Sequence, residues 1–320
     1  QHRGDGVGGR DLDANVARFN VESASECRLI SDIAAERGRI ADIMLRLNPD
    51  IETETHPYIS TGEASHKFGL GASDIRTLAS QEAWLPGLRI VGLSFHLGSQ
   101  ITTPEPYREA LRLLLNVLDD ITPLLPEPPR IVDIGGGFGV PYDEDEGELD
   151  PQELANAVSD VLGERANDFT LITEPGRSFV ANAGILLASV EHVKPSASGR
   201  TFLILDAGMN DLLRPALYQA RHHIVPVLED IESEWRGVDV VGPVCESSDT
   251  FAVKYLLPSS LDRGALVAIL SAGAYGAGMS STYNSRPFAA EVVVLGSTWT
   301  IVRPRQTLDA MLADERLLGV

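Results

Sequence analysis

Apolar and polar positions follow a repeating order through the first half of the chain. A short apolar run ends in a polar cluster, and an amphipathic stretch follows. Val16–Val21 reads as a strand ending in Glu22-Ser23, and Ser23 as the N-cap of a helix from about Ala24 to Arg37, stopped by Gly38. Ile43–Leu47 reads as a strand ending in Asn48-Pro49. A long polar excursion follows to Gly71, then a short helix over about Ser73–Glu82. Arg89–Phe95 is the next apolar run, ending in His96-Leu97-Gly98-Ser99-Gln100, and Glu105–Ile121 has helical periodicity behind two prolines. Ile131–Ile134 runs into Gly135, Gly136, Gly137 and Gly139. Pro151–Arg165 reads as a helix, and Phe169–Thr173 as a strand ending in Glu174-Pro175-Gly176-Arg177.

Strand, polar end and helix thus recur five times. The markers Asn20, Asn48, His96, Gly135 and Glu174 are spaced as β/α units require. Polar clusters at every carboxyl strand end favour a β/α barrel, whose ligand groups share one rim. A doubly wound sheet gathers its ligand groups at one switch point instead. Barrel closure takes eight units, so an incomplete barrel is expected over residues 1–184. From about Ile185 short β-prone runs separated by Pro and Gly turns predict a β-rich, sandwich- or barrel-like domain over 185–320. A terminal helix is expected near Leu308–Arg316.

Composition narrows the function classes. The chain has 320 residues and a net charge of −20, which argues against nucleic acid, since that partner needs a basic face. No apolar run reaches membrane-spanning length. No signal-peptide pattern is read at the start, and Cys27 and Cys245 are too few and too far apart for a disulfide framework, so a cytoplasmic protein is expected. The glycine run permits positive φ and close approach to a ligand, and its N–H groups suit a phosphate, although a ligand-free tight turn has the same composition.

Taken in order, the segments Phe19–Ser23, Leu47–Pro49, His56–Gly62, Lys67–Gly69, His96–Gln100, Gly135–Gly139 and Glu174–Arg177 resemble those of the diaminopimelate decarboxylases, pyridoxal-phosphate (PLP) enzymes with an alanine-racemase-like barrel. The resemblance continues through Asp206–Asp211, Arg214–Tyr218, Gly242–Glu246, Gly273–Gly276 and Tyr283–Pro287. It implies that Ser99, Gly136, Gly137, Gly176, Arg177 and Tyr275 hold the cofactor, chiefly its phosphate, and that Glu174 pairs with the pyridine nitrogen. It also implies that His96 stacks on the ring, that Arg177, Arg214, Tyr218, Glu246 and Tyr275 meet the amino-acid substrate, and that Cys245 returns a proton to the decarboxylated carbon. Cys245 and Glu246 would act in the other subunit of a homodimer. Read singly, Glu174 suits a helix start before Pro175, His96 a half-buried core, Arg214 a surface salt bridge, Tyr218 a core aromatic, and Cys245 an inert thiol.

The family's Schiff-base lysine lies in a tyrosine-alanine-valine-lysine-type motif on the first barrel strand. This sequence has no such motif, and none of its three lysines (Lys67, Lys194, Lys254) stands in that context. The amino-terminal part is therefore expected to be missing, with Gln1–Arg10 a remnant of the turn after the third strand, and turnover by this chain alone is expected to be very weak. The reaction implied is decarboxylation of meso-diaminopimelate to L-lysine. The alternatives are decarboxylation of a related basic amino acid or polyamine precursor, and a non-catalytic homologue that holds PLP or pairs with a complete subunit.

Overall fold

The computed structural model describes residues 12–51, 67–81, 85–143, 146–228, 233–316 and 318. Gln1–Arg10 and His56–Gly62, both singled out in the sequence, lie outside the described residues. The chain folds as two compact units, Gln1–Pro141 with Gly147–Ser178, and Tyr142–Glu146 with Phe179–Val320. The second unit thus begins earlier than residue 185 and also takes in a short segment from the acidic loop.

The first unit alternates strands and helices: β1 (Phe19–Val21), α1 (Ala24–Glu36), β2 (Ala41–Leu47), α2 (Ala72–Ser80), β3 (Leu88–Phe95), α3 (Glu105–Ile121), β4 (Ile131–Asp133), α4 (Pro151–Leu162) and β5 (Thr170–Ile172). Helix α5 (Gly176–Val180) follows. The five strands form one parallel sheet in sequence order, the arc of a β/α barrel. Among the described residues β1 and β5 are its edges.

Local chemistry explains the elements. Ser23 Oγ accepts the Glu26 N–H at 3.2 Å and caps α1, which ends just before Gly38 at φ +64°. Helix α3 buries Tyr107, Ala110, Leu111, Leu114, Leu115, Leu118 and Ile121, the three- and four-residue spacing of one helix face. Strands β2 and β3 are buried on both faces, as a parallel sheet covered by helices requires. The helix expected over Pro151–Arg165 ends at Leu162 and tightens into a 3₁₀ turn, because Gly163 takes φ +53°.

In the second unit β6 (Leu186–Pro195), β7 (Thr201–Leu205), α6 (Arg214–Tyr218), β8 (Ile224–Pro226), β9 (Trp235–Val241), β10 (Thr250–Pro258) and β11 (Leu266–Ile269) build a six-stranded sheet ordered β10-β9-β7-β6-β11-β8. Its pairs are antiparallel except β7 with β9. Val190, Leu203, Leu205, Val240, Val267 and Ile269 form its core. A separate hairpin pairs β12 (Glu291–Leu295) with β13 (Thr298–Arg303), and α7 (Leu308–Met311) is shorter than the expected terminal helix.

Candidate active site

The carboxyl ends of the five parallel strands carry a cavity of about 350 Å³. Asn20 enters it from β1, Arg46 from β2, Ser94, Phe95 and His96 from the end of β3, Asp133 from β4, and Glu174 from just beyond β5; Phe68 completes the wall. Backbone packing of neighbouring strand ends holds this rim together. A Cβ on Gly135 would lie 2.4 Å from the Phe95 carbonyl oxygen, one on Gly136 2.0 Å from that of Glu174, and one on Gly137 2.2 Å from that of Gly98. Gly135 and Gly137 also have positive φ, so only glycine lets these loops touch. Tyr107 reaches up from α3 and donates to the Gly136 carbonyl at 2.8 Å.

The cavity's electrostatics follow from the partial burial of its ionisable groups. Asp133 is 2% exposed, and its Oδ1 accepts the Gly135 N–H at 2.8 Å. Asn20 Nδ2 donates to Glu174 Oε1 at 3.4 Å. Burial raises both carboxyls above the usual range, and the Asp133 charge raises Glu174 further. His96 is pushed down to about 4, first by burial and then by the Arg46 charge, so its ring is neutral near pH 7. His96 Nδ1 accepts the Gly136 N–H at 3.2 Å. Arg46 is ion-paired to Glu22 at 2.5 Å and lies over the Phe68 ring. Ser94 Oγ is buried in the cavity wall with no hydrogen-bond partner among the described residues.

Nearby in the same unit, Arg177 on α5 is buried and donates to Ser99 Oγ at 2.8 Å. Gly176 has open space where a side chain would stand. Lys67 Nζ sits over the Phe68 ring, 5.1 Å from its centroid, which places one lysine beside the cavity wall.

The second unit gathers its own motifs. Asp249, 3% exposed, accepts the Val244 N–H at 2.6 Å and the Met209 N–H at 2.7 Å. It thereby fixes the loop that presents Cys245 and Glu246 to solvent. Arg286 Nε donates to Asn210 Oδ1 at 2.9 Å, and Tyr283 is hydrogen-bonded to Glu246, which raises the phenol above its ordinary value. The Asp206–Asp211, Gly242–Glu246 and Tyr283–Pro287 segments therefore meet in one network. Tyr275 takes a left-handed backbone conformation and is 48% exposed. Arg214 is not in a surface salt bridge: it is buried, stacked 4.1 Å from the Tyr142 ring centroid, with Nη1 2.8 Å from His222 Nε2. Tyr218, at the end of α6, is half-buried.

Arg46 and Asp133 escaped the sequence reading as site residues. Both lie within predicted strands, where a polar residue near the carboxyl end is the available signal. Gly136 was expected to aim its N–H at a phosphate; here that N–H meets His96.

The parallel arc and its polar rim are those of a PLP-binding decarboxylase domain. A family model described as "pyridoxal-dependent decarboxylase, pyridoxal binding domain" matches residues 10–181. The diaminopimelate decarboxylase of Haemophilus influenzae is 43% identical over 96% of this chain and 72% of its own length; that of Vibrio cholerae is 44% identical over 97% and 72%. The crystal structure of the Helicobacter pylori diaminopimelate decarboxylase, complexed with L-lysine, superposes with a TM-score of 0.89 at 39% identity, over 96% of this chain and 75% of that one. The chain belongs to the diaminopimelate decarboxylase family, and the family's cofactor is pyridoxal 5'-phosphate.

The residues present fit that group. The Glu174 carboxyl at the cavity edge suits a protonated ring nitrogen, and a neutral imidazole suits the ring face. A buried guanidinium beside a serine hydroxyl suits an anion, and the orphaned Ser94 hydroxyl lacks a polar partner that a ligand can supply. Among the described residues no helix is long and apolar enough to cross a membrane.

Proposed function

We propose that the chain carries the decarboxylation of meso-2,6-diaminopimelate to L-lysine and carbon dioxide, with PLP seated at the strand-end rim of the first unit. The observation that supports this most is the clustering of Asn20, Arg46, His96, Asp133 and Glu174 around one cavity in a member of this family. When bound, PLP supplies an electron sink for the pair left behind by the departing carboxylate. Glu174 holds a proton at the ring nitrogen, and the flat, neutral His96 ring faces the heterocycle without adding charge. Ser99 and Arg177, with N–H groups of Gly136, Gly137 and Gly176 and the Tyr275 hydroxyl, hold the phosphate. Re-aiming the Gly136 N–H then costs its bond to His96.

Arg177, Arg214, Tyr218, Tyr275 and Glu246 recognise the substrate's two amino-acid ends. A guanidinium grips a carboxylate through two parallel hydrogen bonds, which an ammonium cannot do. The Cys245 thiol returns a proton to the substrate carbon after carbon dioxide leaves. A cytoplasmic homodimer, in which Cys245 and Glu246 of each copy complete the site of the other, is part of this reading. Their exposure on a rigidly anchored loop supports it.

The exposed Cys245–Glu246 loop also fits a second reading, a cofactor-holding subunit that pairs with a complete one. One experiment separates the two. The chain is incubated with PLP, reduced with borohydride and weighed intact, and lysine release from meso-diaminopimelate is assayed in parallel. Non-covalent PLP with very weak lysine release is the expected outcome for this chain alone. Covalent retention together with normal turnover would show that one of its lysines serves, with Lys67 the first to map.

A further inference from the structure

Arg214 is a cation held inside the second unit, and the side chains that hold it have no role in the assignments above. We propose that His222 is a positioning residue which, together with the Tyr142 ring, locks the Arg214 guanidinium in one orientation for a substrate carboxylate. The proposal deepens the reading of Arg214 as a carboxylate-binding group and rests on it.

Two contacts of different kinds fix this flat ion. The Tyr142 ring covers one face of the guanidinium, whose Cζ lies 4.1 Å from the ring centroid. At the edge, Nη1 lies 2.8 Å from His222 Nε2. The face contact sets the plane of the ion, and the edge contact sets its rotation within that plane. Arg214 is 5% exposed, and His222 and Tyr142 are each 4% exposed, so water competes little for either contact.

Chemistry determines the hydrogen-bond roles. A guanidinium only donates, so His222 Nε2 accepts and carries no hydrogen. The ring hydrogen is then on Nδ1, which donates to the Leu270 carbonyl at 2.8 Å. The imidazole is therefore held at both nitrogens. It also meets the Tyr142 ring edge to face, with centroids 4.9 Å apart and planes at 69°.

The backbone ties the same segments together. The His223 N–H donates to the Tyr142 carbonyl at 3.2 Å, and the Leu270 N–H donates to the His223 carbonyl at 2.8 Å. Leu270 directly follows β11, and Ile224 of β8 pairs with Ile269 of β11. The lock is thus anchored to the six-stranded sheet and not to α6, the short helix that Arg214 begins. An unrestrained arginine loses rotamer freedom when it grips a ligand. Here much of that ordering occurs on folding, so a carboxylate meets a guanidinium already oriented. His222 acts through Arg214 and touches neither substrate nor cofactor.

The test uses the full chain loaded with PLP. L-Lysine and 1,5-diaminopentane, which differs from it by loss of the carboxylate, are titrated calorimetrically against wild type, His222→Phe and His222→Gln. Wild type should prefer L-lysine. His222→Phe keeps a ring but no acceptor, and should weaken L-lysine about tenfold while leaving diaminopentane unchanged. His222→Gln retains an acceptor oxygen and should recover part of that loss. In parallel, nitrogen NMR of the arginine-labelled chain should show separate Arg214 Nη signals, from slow rotation, in wild type and merged signals in His222→Phe. An unchanged L-lysine preference in His222→Phe overturns the proposal and leaves the carboxylate reading of Arg214 standing. Equal weakening of both ligands marks a structural role and overturns it too. If His222→Phe does not fold, a wild-type guanidinium that rotates freely overturns it alone. A wild type that binds both ligands equally refutes the carboxylate reading, and the proposal with it.

Discussion

The two units place their chemistry on opposite kinds of support. In the first, polar groups stand at the ends of parallel strands, in a cavity where partial burial shifts a histidine and two carboxyls. In the second, Cys245 and Glu246 stand exposed on a loop whose shape comes from one buried aspartate behind it. The rim tunes protonation where burial is deepest, at His96 and Asp133; the loop offers groups at the surface. This is the division expected if the first unit seats a cofactor.

The hardest way to break the comparison is to pry the rim apart. Gly136→Ala puts a methyl 2.0 Å from the Glu174 carbonyl oxygen, a backbone atom that cannot swing away. A loss of about 3 kcal/mol in urea unfolding is expected, with Glu174 displaced. In the second unit Gly208→Ala meets the Asn210 and Val244 side chains at 3.1 Å, which can give, so a smaller loss is expected.

The burial of His96 is tested by pH. The folded pKa of His96 lies at about 4 against an ordinary 6.5, so between those values the unfolded chain binds the proton and the folded one does not. Its contribution to stability is present above 6.5 and lost as pH falls toward 4, at most about 3 kcal/mol. The raised carboxyls act in the opposite sense, losing stability as pH rises through their range. Wild type minus His96→Asn, compared by urea unfolding across this window, should therefore show the His96 slope alone; equal slopes would mean that the His96 ring is solvated.

Asp249→Ala should release the Cys245 loop. Two backbone N–H groups lose their acceptor, at a cost of about 1–3 kcal/mol, and thiol-reagent labelling of Cys245 should change while PLP binding at the rim does not. The smallest effect is expected from Tyr107→Phe, which removes the hydroxyl bonded to the Gly136 carbonyl, about 1 kcal/mol by thermal or urea unfolding.

Much of this was legible in the sequence because period and punctuation carried it. Glu105–Ile121 is a helix at the expected bounds, since its apolar face repeats every three to four residues and prolines mark its start. Strands β8 and β10 were not read. Ile224–Pro226 is three residues long, and Thr250–Pro258 bends through register shifts, with Lys254 in a left-handed conformation that breaks simple alternation. At the site, His96, Ser99, the glycine run and Glu174 were visible as strand-end polar clusters. Arg46 and Asp133 were not, because a charged residue inside an apolar run shows its direction only once the neighbouring strands are in place. The glycines also carry more than the expected anion cradle, since the close carbonyl neighbours of Gly135, Gly136 and Gly137 come from distant segments.

The central claim is that the strand-end rim of the first unit seats the cofactor. Its most direct test is equilibrium titration of the full chain with PLP, followed by absorbance, for wild type, Glu174→Gln and Asp249→Asn. Saturable binding that Glu174→Gln weakens at least tenfold and Asp249→Asn leaves unchanged is the predicted result. Binding that Glu174→Gln leaves untouched would contradict the claim.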